Sequence, residues 1–318
     1  MRHDDFSFYG IHDRAERMLL VGYMSLLSIS SLIGDTLILV GSVRFNAIKL
    51  HTVPVIFIRY IAVADLLVTL SGVLPAAVSL AANEWILGDV LCYLNFFGRC
   101  SCALVICQLF AALALSKMLI VKYPLRSIQC SGKAAHLVAG GMWAYSVIFP
   151  TVAIARDKGD VYFSYIVYNC DYDCSWGHVE CEKLSTAIVV SVSACVVVTV
   201  VSSVVLMVEA RRVARRVPGG LNWRGVLTVL LTVAVHTIVT LPLATYYISE
   251  YYTDNRSLNL YRPAWFIAIL AVTANFYIFT LTLPSFREFL NSRILAPLMK
   301  CCTAQGDERS GERRRLLD

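Results

Sequence analysis

The sequence predicts an all-α membrane protein: a seven-transmembrane helix bundle with a short amphipathic eighth helix. Three observations carry that prediction. Of 318 residues, 58% are hydrophobic and only 16% charged, with a mean hydropathy of +0.65, whereas a soluble chain carries about 25% charged residues. Seven apolar runs are each long enough, at about 1.5 Å per residue, to cross roughly 30 Å of hydrocarbon. Basic residues then gather in alternate connections between those runs, the pattern left by membrane insertion. The formal charge of +6 falls in short clusters rather than on one soluble face, so it is not a nucleic-acid footprint.

The first sixteen residues, MRHDDFSFYGIHDRAE, are polar and lack a small-residue cleavage site. Residues 1–17 are expected as an extracellular amino terminus, with the first apolar run as a signal anchor. The runs cover Met18–Val43, Val53–Ala82, Cys92–Val121, Ala134–Ala155, Leu184–Val208, Val226–Ile248 and Ala264–Leu283, within one domain of residues 18–283. Connections one, three and five carry Arg44 and Lys49, then Lys122, Arg126 and Lys133, then Arg211, Arg212, Arg215, Arg216 and Arg224. The intervening ones are acidic or mixed, with Glu84 and Asp89, then Asp157, Asp160, Asp171, Asp173, Glu180 and Glu182 against Arg156, Lys158 and Lys183. This bias places the amino terminus outside and the carboxyl terminus in the cytosol of a plasma-membrane protein.

After the last run, Pro284–Met299 sets Phe286, Phe289, Leu290, Ile294 and Leu298 at helical spacing. An interfacial helix is expected there, ending at Cys301 and Cys302, which read as a palmitoylation pair or as two unmodified thiols. Residues 284–302 form that unit, and the charged stretch 303–318 is expected to be a disordered cytosolic tail.

Of 11 cysteines, Cys92, Cys170, Cys174 and Cys181 fall on the outer face, an even number in an oxidising compartment. Two disulfides are allowed, and four cysteines leave three pairings open. Asn255-Arg256-Ser257 in the third outer loop makes Asn255 a glycosylation acceptor. There is no Gly-rich phosphate loop, HExxH or GxSxG, so no enzyme signature is present. Nor is there an inverted repeat or a pair of broken helices of the kind that marks a transporter.

Seven spans do not define a function, and shorter motifs narrow it. Span one contains Gly34-Asp35-Thr36-Leu37-Ile38, and span two Ala62-Val63-Ala64-Asp65-Leu66-Leu67. Trp85, Gly88 and Cys92 precede span three; Lys117 lies 25 residues after Cys92 and is followed by Pro124-Leu125-Arg126. Span four holds Trp143, span six Pro242, and span seven Asn275, with Pro284-Ser285-Phe286-Arg287 opening the short helix. On these residues the chain resembles rhodopsin-like (class A) G-protein-coupled receptors, over about Gly34 to Cys302. The string VYFSYIVYNCDY and the Ser116-Lys117-Met118 variant are similar to divergent orphan receptors of an invertebrate-expanded group.

Departures from the family pattern are concentrated where the family couples ligand to signal. Ser116-Lys117-Met118 stands for Asp-Arg-Tyr; an ammonium lacks the planar fork of guanidinium, and without the aspartate the resting ion pair cannot form. Asn275-Phe276-Tyr277-Ile278-Phe279 stands for Asn-Pro-x-x-Tyr, losing the proline kink and, at Phe279, the terminal hydroxyl. Span six reads Val239-Thr240-Leu241-Pro242 in place of Cys-Trp-x-Pro, and His236 stands where the family has phenylalanine. His236, Pro242 and Phe279 are the residues left to act as an activation switch. His236 reads either as a titratable gate or as a satisfied buried histidine.

The resemblance further implies a disulfide from Cys92 to Cys170, leaving Cys174 and Cys181 for a local bridge, with Cys174 and Cys181 as the alternative partners. It places the ligand pocket between the outer halves of spans three, five, six and seven, at Arg99, Thr240, Tyr246 and Tyr247. Arg99 lies about two turns inside Cys92, where amine receptors carry an aspartate. It either meets a carboxylate-bearing or otherwise anionic ligand or pairs internally, with Glu250 or an outer-loop acid. Asp65 is implied as a sodium-binding aspartate, with Asp35 and Asn275 beside it. Two acids so placed hold a sodium ion, share a proton, or join an ion-free packing network. Lys117, Pro124, Leu125, Arg211 and Arg212 would form the face for a heterotrimeric G protein, the arginines serving equally as anchors to anionic lipid. Arg59 is expected to snorkel to the cytosolic headgroups. Span seven has no lysine, so no retinal Schiff base is expected.

The sequence therefore reads as a receptor that binds an unidentified extracellular ligand and activates a heterotrimeric G protein. A signalling-silent seven-span protein, acting as a scavenging, scaffolding or dimerising partner, is the alternative. No enzyme activity and no nucleic-acid partner is expected.

Overall fold

The computed structural model describes residues 11, 13–48, 52–123, 132–157, 161–172, 179–216, 222–253 and 258–297. Among them are seven helices long and apolar enough to cross a membrane: Arg14–Arg44, Thr52–Ala82, Asp89–Lys122, Gly132–Val152, Val189–Arg216, Trp223–Tyr246 and Leu260–Thr282. The chain is a multi-pass membrane protein, and these are its spans one to seven. Leu19, Leu137, Ile238 and Leu281 point outward from the bundle, as a lipid-facing surface requires.

Each span departs from a plain rod where its sequence says it should. Asp13 caps span one, accepting a hydrogen bond from the Ala15 amide at 2.9 Å. Span two widens into a π turn at Thr69–Val73, just before Pro75. That proline has no N–H and its ring crowds the carbonyl of Ser71, so the ladder loosens there. Span two ends at Asn83, which takes the left-handed conformation with φ 63°. Pro150 and Pro242 lie inside spans four and six.

Span seven is interrupted although it lacks the family's proline after Asn275. It consists of Leu258–Ala268 and Ala271–Thr282, joined by a turn at Ile269 and Leu270. The amides of Leu270, Val272 and Thr273 bond carbonyls three residues back, and the Thr273 hydroxyl shares the Leu270 carbonyl at 3.1 Å. A break is made here by this tightening, upstream of Phe276, where the family has its proline.

Span three is the axis of the bundle, packed by spans two, four, five and six. Its Val105, Leu109, Leu113 and Ala114 are buried in one cluster with Ile58, Ile61, Val229 and Phe279. Spans one and seven meet closely at Gly34, where a Cβ would lie 2.7 Å from the Cβ of Phe276. Glycine is required there, and it brings the polar residues beside it within reach of span seven.

The helix after span seven is Pro284–Phe289, continued by a π turn at Leu290–Leu295. Phe286 and Phe289 are buried, and Phe289 packs on Phe45 at 5.2 Å between ring centroids. Arg59 of span two reaches across to span one. Its Nη2 donates to the Ser42 carbonyl at 2.5 Å and its Nε to the Ser42 hydroxyl at 3.2 Å, satisfying a carbonyl in the last turn of span one.

Between spans four and five, β1 (Val161–Ser164) pairs antiparallel with β2 (Asn169–Tyr172), placing Phe163 opposite Cys170. The connecting turn, Tyr165 to Tyr168, buries Ile166, Val167 and Tyr168 in a cluster with Met24, Leu27, Leu80, Tyr246 and Trp265. The hairpin tip is thus seated in the Cys92 end of the bundle.

Candidate functional site

Besides Lys122 in its last turn, span three carries Arg99 and Lys117 about five turns apart, and their surroundings define the two ends of the molecule. At the Cys92 end, a disulfide joins Cys92 to Cys170 with Cα atoms 5.4 Å apart, the pairing implied by the family resemblance. Closing a loop of 78 residues stabilises by about 4 kcal/mol in the chain-entropy model. One turn on, the Asn95 amide donates to the Ser71 carbonyl at 2.7 Å and to Asn169 Oδ1 at 2.8 Å, while its oxygen accepts from the Cys170 amide at 2.9 Å. Another turn on, Arg99 Nη2 donates to the Cys170 carbonyl at 2.6 Å and pairs with Asp171 Oδ1 at 2.5 Å. Of the two readings of Arg99, the internal pair with an outer-loop acid is the one formed.

Further bonds hold the hairpin from the other side. The Tyr168 hydroxyl donates to Asn83 Oδ1 and accepts from the Ile11 amide, both at 3.0 Å, and Arg262 Nε donates to the Ile166 carbonyl at 3.0 Å. The other residues expected to line a pocket are placed as follows. The Thr240 hydroxyl donates to the His236 carbonyl at 2.7 Å, and Tyr246 is buried and stacks on Tyr261 at 4.7 Å. The side chains of Tyr247 and Glu250 lie outside the described residues.

Midway along the bundle, Asp35, Asp65 and Asn275 come together. Each is at most 4% exposed. Asn275 Nδ2 donates to Asp65 Oδ2 at 2.9 Å. Asp35 Oδ2 lies 2.8 Å from the Ser31 hydroxyl, which lies 2.8 Å from the Thr69 hydroxyl, and Thr69 donates to the Asp65 carbonyl at 2.9 Å. Two hydroxyls therefore bridge the acids of spans one and two. Asp35 Oδ1 is buried with no hydrogen-bond partner.

At the opposite end, Lys117 is 6% exposed and has no hydrogen-bond or ion-pair partner among the described residues. Ser116 gives its hydroxyl to the Leu113 carbonyl at 2.9 Å, and Met118 packs on a cluster of Val121, Leu206, Ala210 and Val226. Arg212 pairs with Glu209 at 2.8 Å on the surface of span five, and Arg211 is exposed beside it. His236 stacks on Phe110 at 4.0 Å between centroids, with Nε2 buried and unpartnered; Phe279 is buried edge-on to Phe286. Pro242 sits within span six, above His236 on the way to the Cys92 end. Pro124, Leu125, Cys174, Asn255, Cys301, Cys302 and the side chain of Cys181 lie outside the described residues.

Asn95, Asn83, Tyr168, Ser31 and Thr69 were not singled out by the sequence. Asn95 had a detectable signal, as one of the few amides within the apolar spans, with Gln108 and Asn275. The two hydroxyls had none, because serine and threonine are ordinary in membrane helices, bonding their own backbone.

The chain matches the family model described as "7 transmembrane receptor (rhodopsin family)" over residues 37–278. It is 27% identical over 168 residues to Melanopsin-B of Xenopus laevis, covering 52% of this chain and 30% of that protein. It is 30% identical over 141 residues to Neuropeptide Y receptor type 2 of Gallus gallus, covering 44% and 36%. The matched stretches thus span about a third of the length of those relatives. The crystal structure of squid rhodopsin superimposes with a TM-score of 0.78 at 15% identity, over 95% of this chain and 91% of that one, a likeness of fold.

Proposed function

We propose that this chain, which belongs to the rhodopsin family of seven-transmembrane receptors, is a plasma-membrane receptor that binds an extracellular ligand at its Cys92 end and activates a heterotrimeric G protein at its Lys117 end. The observation that supports this reading best is the contrast along span three, where Arg99 is bonded into the hairpin and Lys117 is buried without a partner. A buried ammonium lacking a counter-charge favours any partner that supplies acceptors. A G-protein segment docking between the ends of spans three, five and six would do so, with Leu125 and Arg211 beside it. Ligand and G protein then favour the same conformer and strengthen one another's binding.

For the ligand, a carboxylate would reach Arg99 by exchanging with Asp171. An acidic peptide fits that exchange, and one of the relatives is by its name a receptor for neuropeptide Y. Glycosylation at Asn255, palmitoylation at Cys301 and Cys302 and an extracellular amino terminus belong to the same reading. The silent scaffold reading is favoured by the loss of the Asp-Arg-Tyr acid at Ser116.

The test is complex formation between the solubilised chain and a panel of nucleotide-free G proteins. A complex that disperses with a non-hydrolysable GTP analogue and weakens at least tenfold in Leu125→Ala is expected. Absence of any complex across the panel, with the chain folded, would favour the scaffold.

A further inference from the structure

We infer that Asp35 is a proton-binding site: its carboxyl is neutral and donates a hydrogen bond to Ser31, heading a chain that runs through Thr69 to the Asp65 carbonyl. A count of hydrogens leads there. The Thr69 hydroxyl has one hydrogen, and the backbone carbonyl of Asp65 at 2.9 Å can only accept it. Hydroxyls elsewhere in the spans spend their hydrogen in the same way, Ser71 on the Leu67 carbonyl and Thr237 on the Val233 carbonyl. Ser31 must then supply the hydrogen for its 2.8 Å contact with Thr69, leaving none for its 2.8 Å contact with Asp35 Oδ2. With Asp35 ionised, three short oxygen contacts share two hydrogens. A proton on Asp35 supplies the third.

Charge points the same way. Two ionised carboxylates here would repel one another, and neither acid has a Lys, Arg or His partner among the described residues. Lys117, Cys102 and His236 make no bond to either acid, and other charged or titratable groups of the surrounding helices are committed elsewhere. Arg59 of span two is bonded to Ser42, Arg99 of span three to Asp171, and Tyr277 of span seven to Ser30 at 2.9 Å. Span seven offers Asp65 one amide donor from Asn275 and offers Asp35 none. The partnerless Asp35 Oδ1 is tolerable as the carbonyl oxygen of a neutral acid and far less so as half of a carboxylate. Asp65, with its Asn275 donor, keeps the single charge.

Infrared spectroscopy of the full chain in lipid nanodiscs at neutral pH tests this without any ligand or G protein. The carbonyl stretch of a protonated carboxylic acid is expected in the wild type, lost in Asp35→Asn and kept in Asp65→Asn. Asp35→Asn replaces the O–H by an N–H donor and should leave the thermal midpoint unchanged, whereas Asp35→Ala, which has no donor, lowers it. If Asp65→Asn does not fold, the wild-type and Asp35→Asn spectra decide. A wild type with no such band, or a band that survives Asp35→Asn, overturns the inference. So does a thermal midpoint that rises when choline is replaced by sodium and loses that rise in Asp35→Asn, because the acids then hold a metal ion together.

Discussion

Arg99 and Lys117 stand on one helix, both mostly buried, and only one of them has been given a counter-charge. Arg99 forks between a carboxylate and a carbonyl of the hairpin. Lys117 has no partner among the described residues. A buried cation lowers the energy of a fold only where its partner is already positioned. The cation at the Cys92 end is therefore satisfied within the fold, and the one at the Lys117 end is not.

The contrast can be broken most severely at the disulfide. Cys170→Ala should remove about 4 kcal/mol and with it most folded protein at the cell surface, read by surface labelling of an epitope-tagged chain. Next comes the ion pair. Its side chains are 14% and 23% exposed, so it is not fully desolvated. Arg99→Met and Asp171→Asn should each destabilise by about 2 kcal/mol, with a coupling of about 1 kcal/mol in a double-mutant cycle on thermal or denaturant unfolding. Lys117→Met should act with the opposite sign, raising stability by about 1 kcal/mol in the same assay while weakening G-protein binding. If Lys117→Met destabilised like Arg99→Met, the two ends would not differ as described. The smallest effect is expected at His236, whose ring stacks on Phe110 while Nε2 has no partner. His236→Phe keeps the stacking and removes the orphan nitrogen, so stability should change by less than about 1 kcal/mol and in the favourable direction.

The spans were legible because hydrocarbon thickness dictates a minimum apolar length, and loop charge dictates the alternation. The Cys92 to Cys170 bond was legible through the family resemblance, since four cysteines alone leave three pairings. Asp65 could be turned into the bundle because a charged group in a membrane must face inward, and Asp35 and Asn275 were placed beside it through the family resemblance. What joins the acids, Ser31 and Thr69, was not legible: a hydroxyl that bridges two helices looks in sequence like one that bonds its own backbone. The seating of the hairpin depends on Tyr168 at φ 54° and on Asn83 and Ile11, residues far apart in the chain. The bond from Arg59 to the Ser42 carbonyl was not legible either, since it joins residues of two different helices.

The central claim is that the Lys117 end is unlatched and open to a G protein. Ligand-independent G-protein activation in cultured cells tests it most directly, comparing the wild type with Leu125→Ala and with the double variant Ser116→Asp plus Lys117→Arg at matched surface expression. Measurable basal output that falls in both variants is the predicted result. Output that is absent from the wild type, or unchanged when the acid and guanidinium are restored, would contradict it.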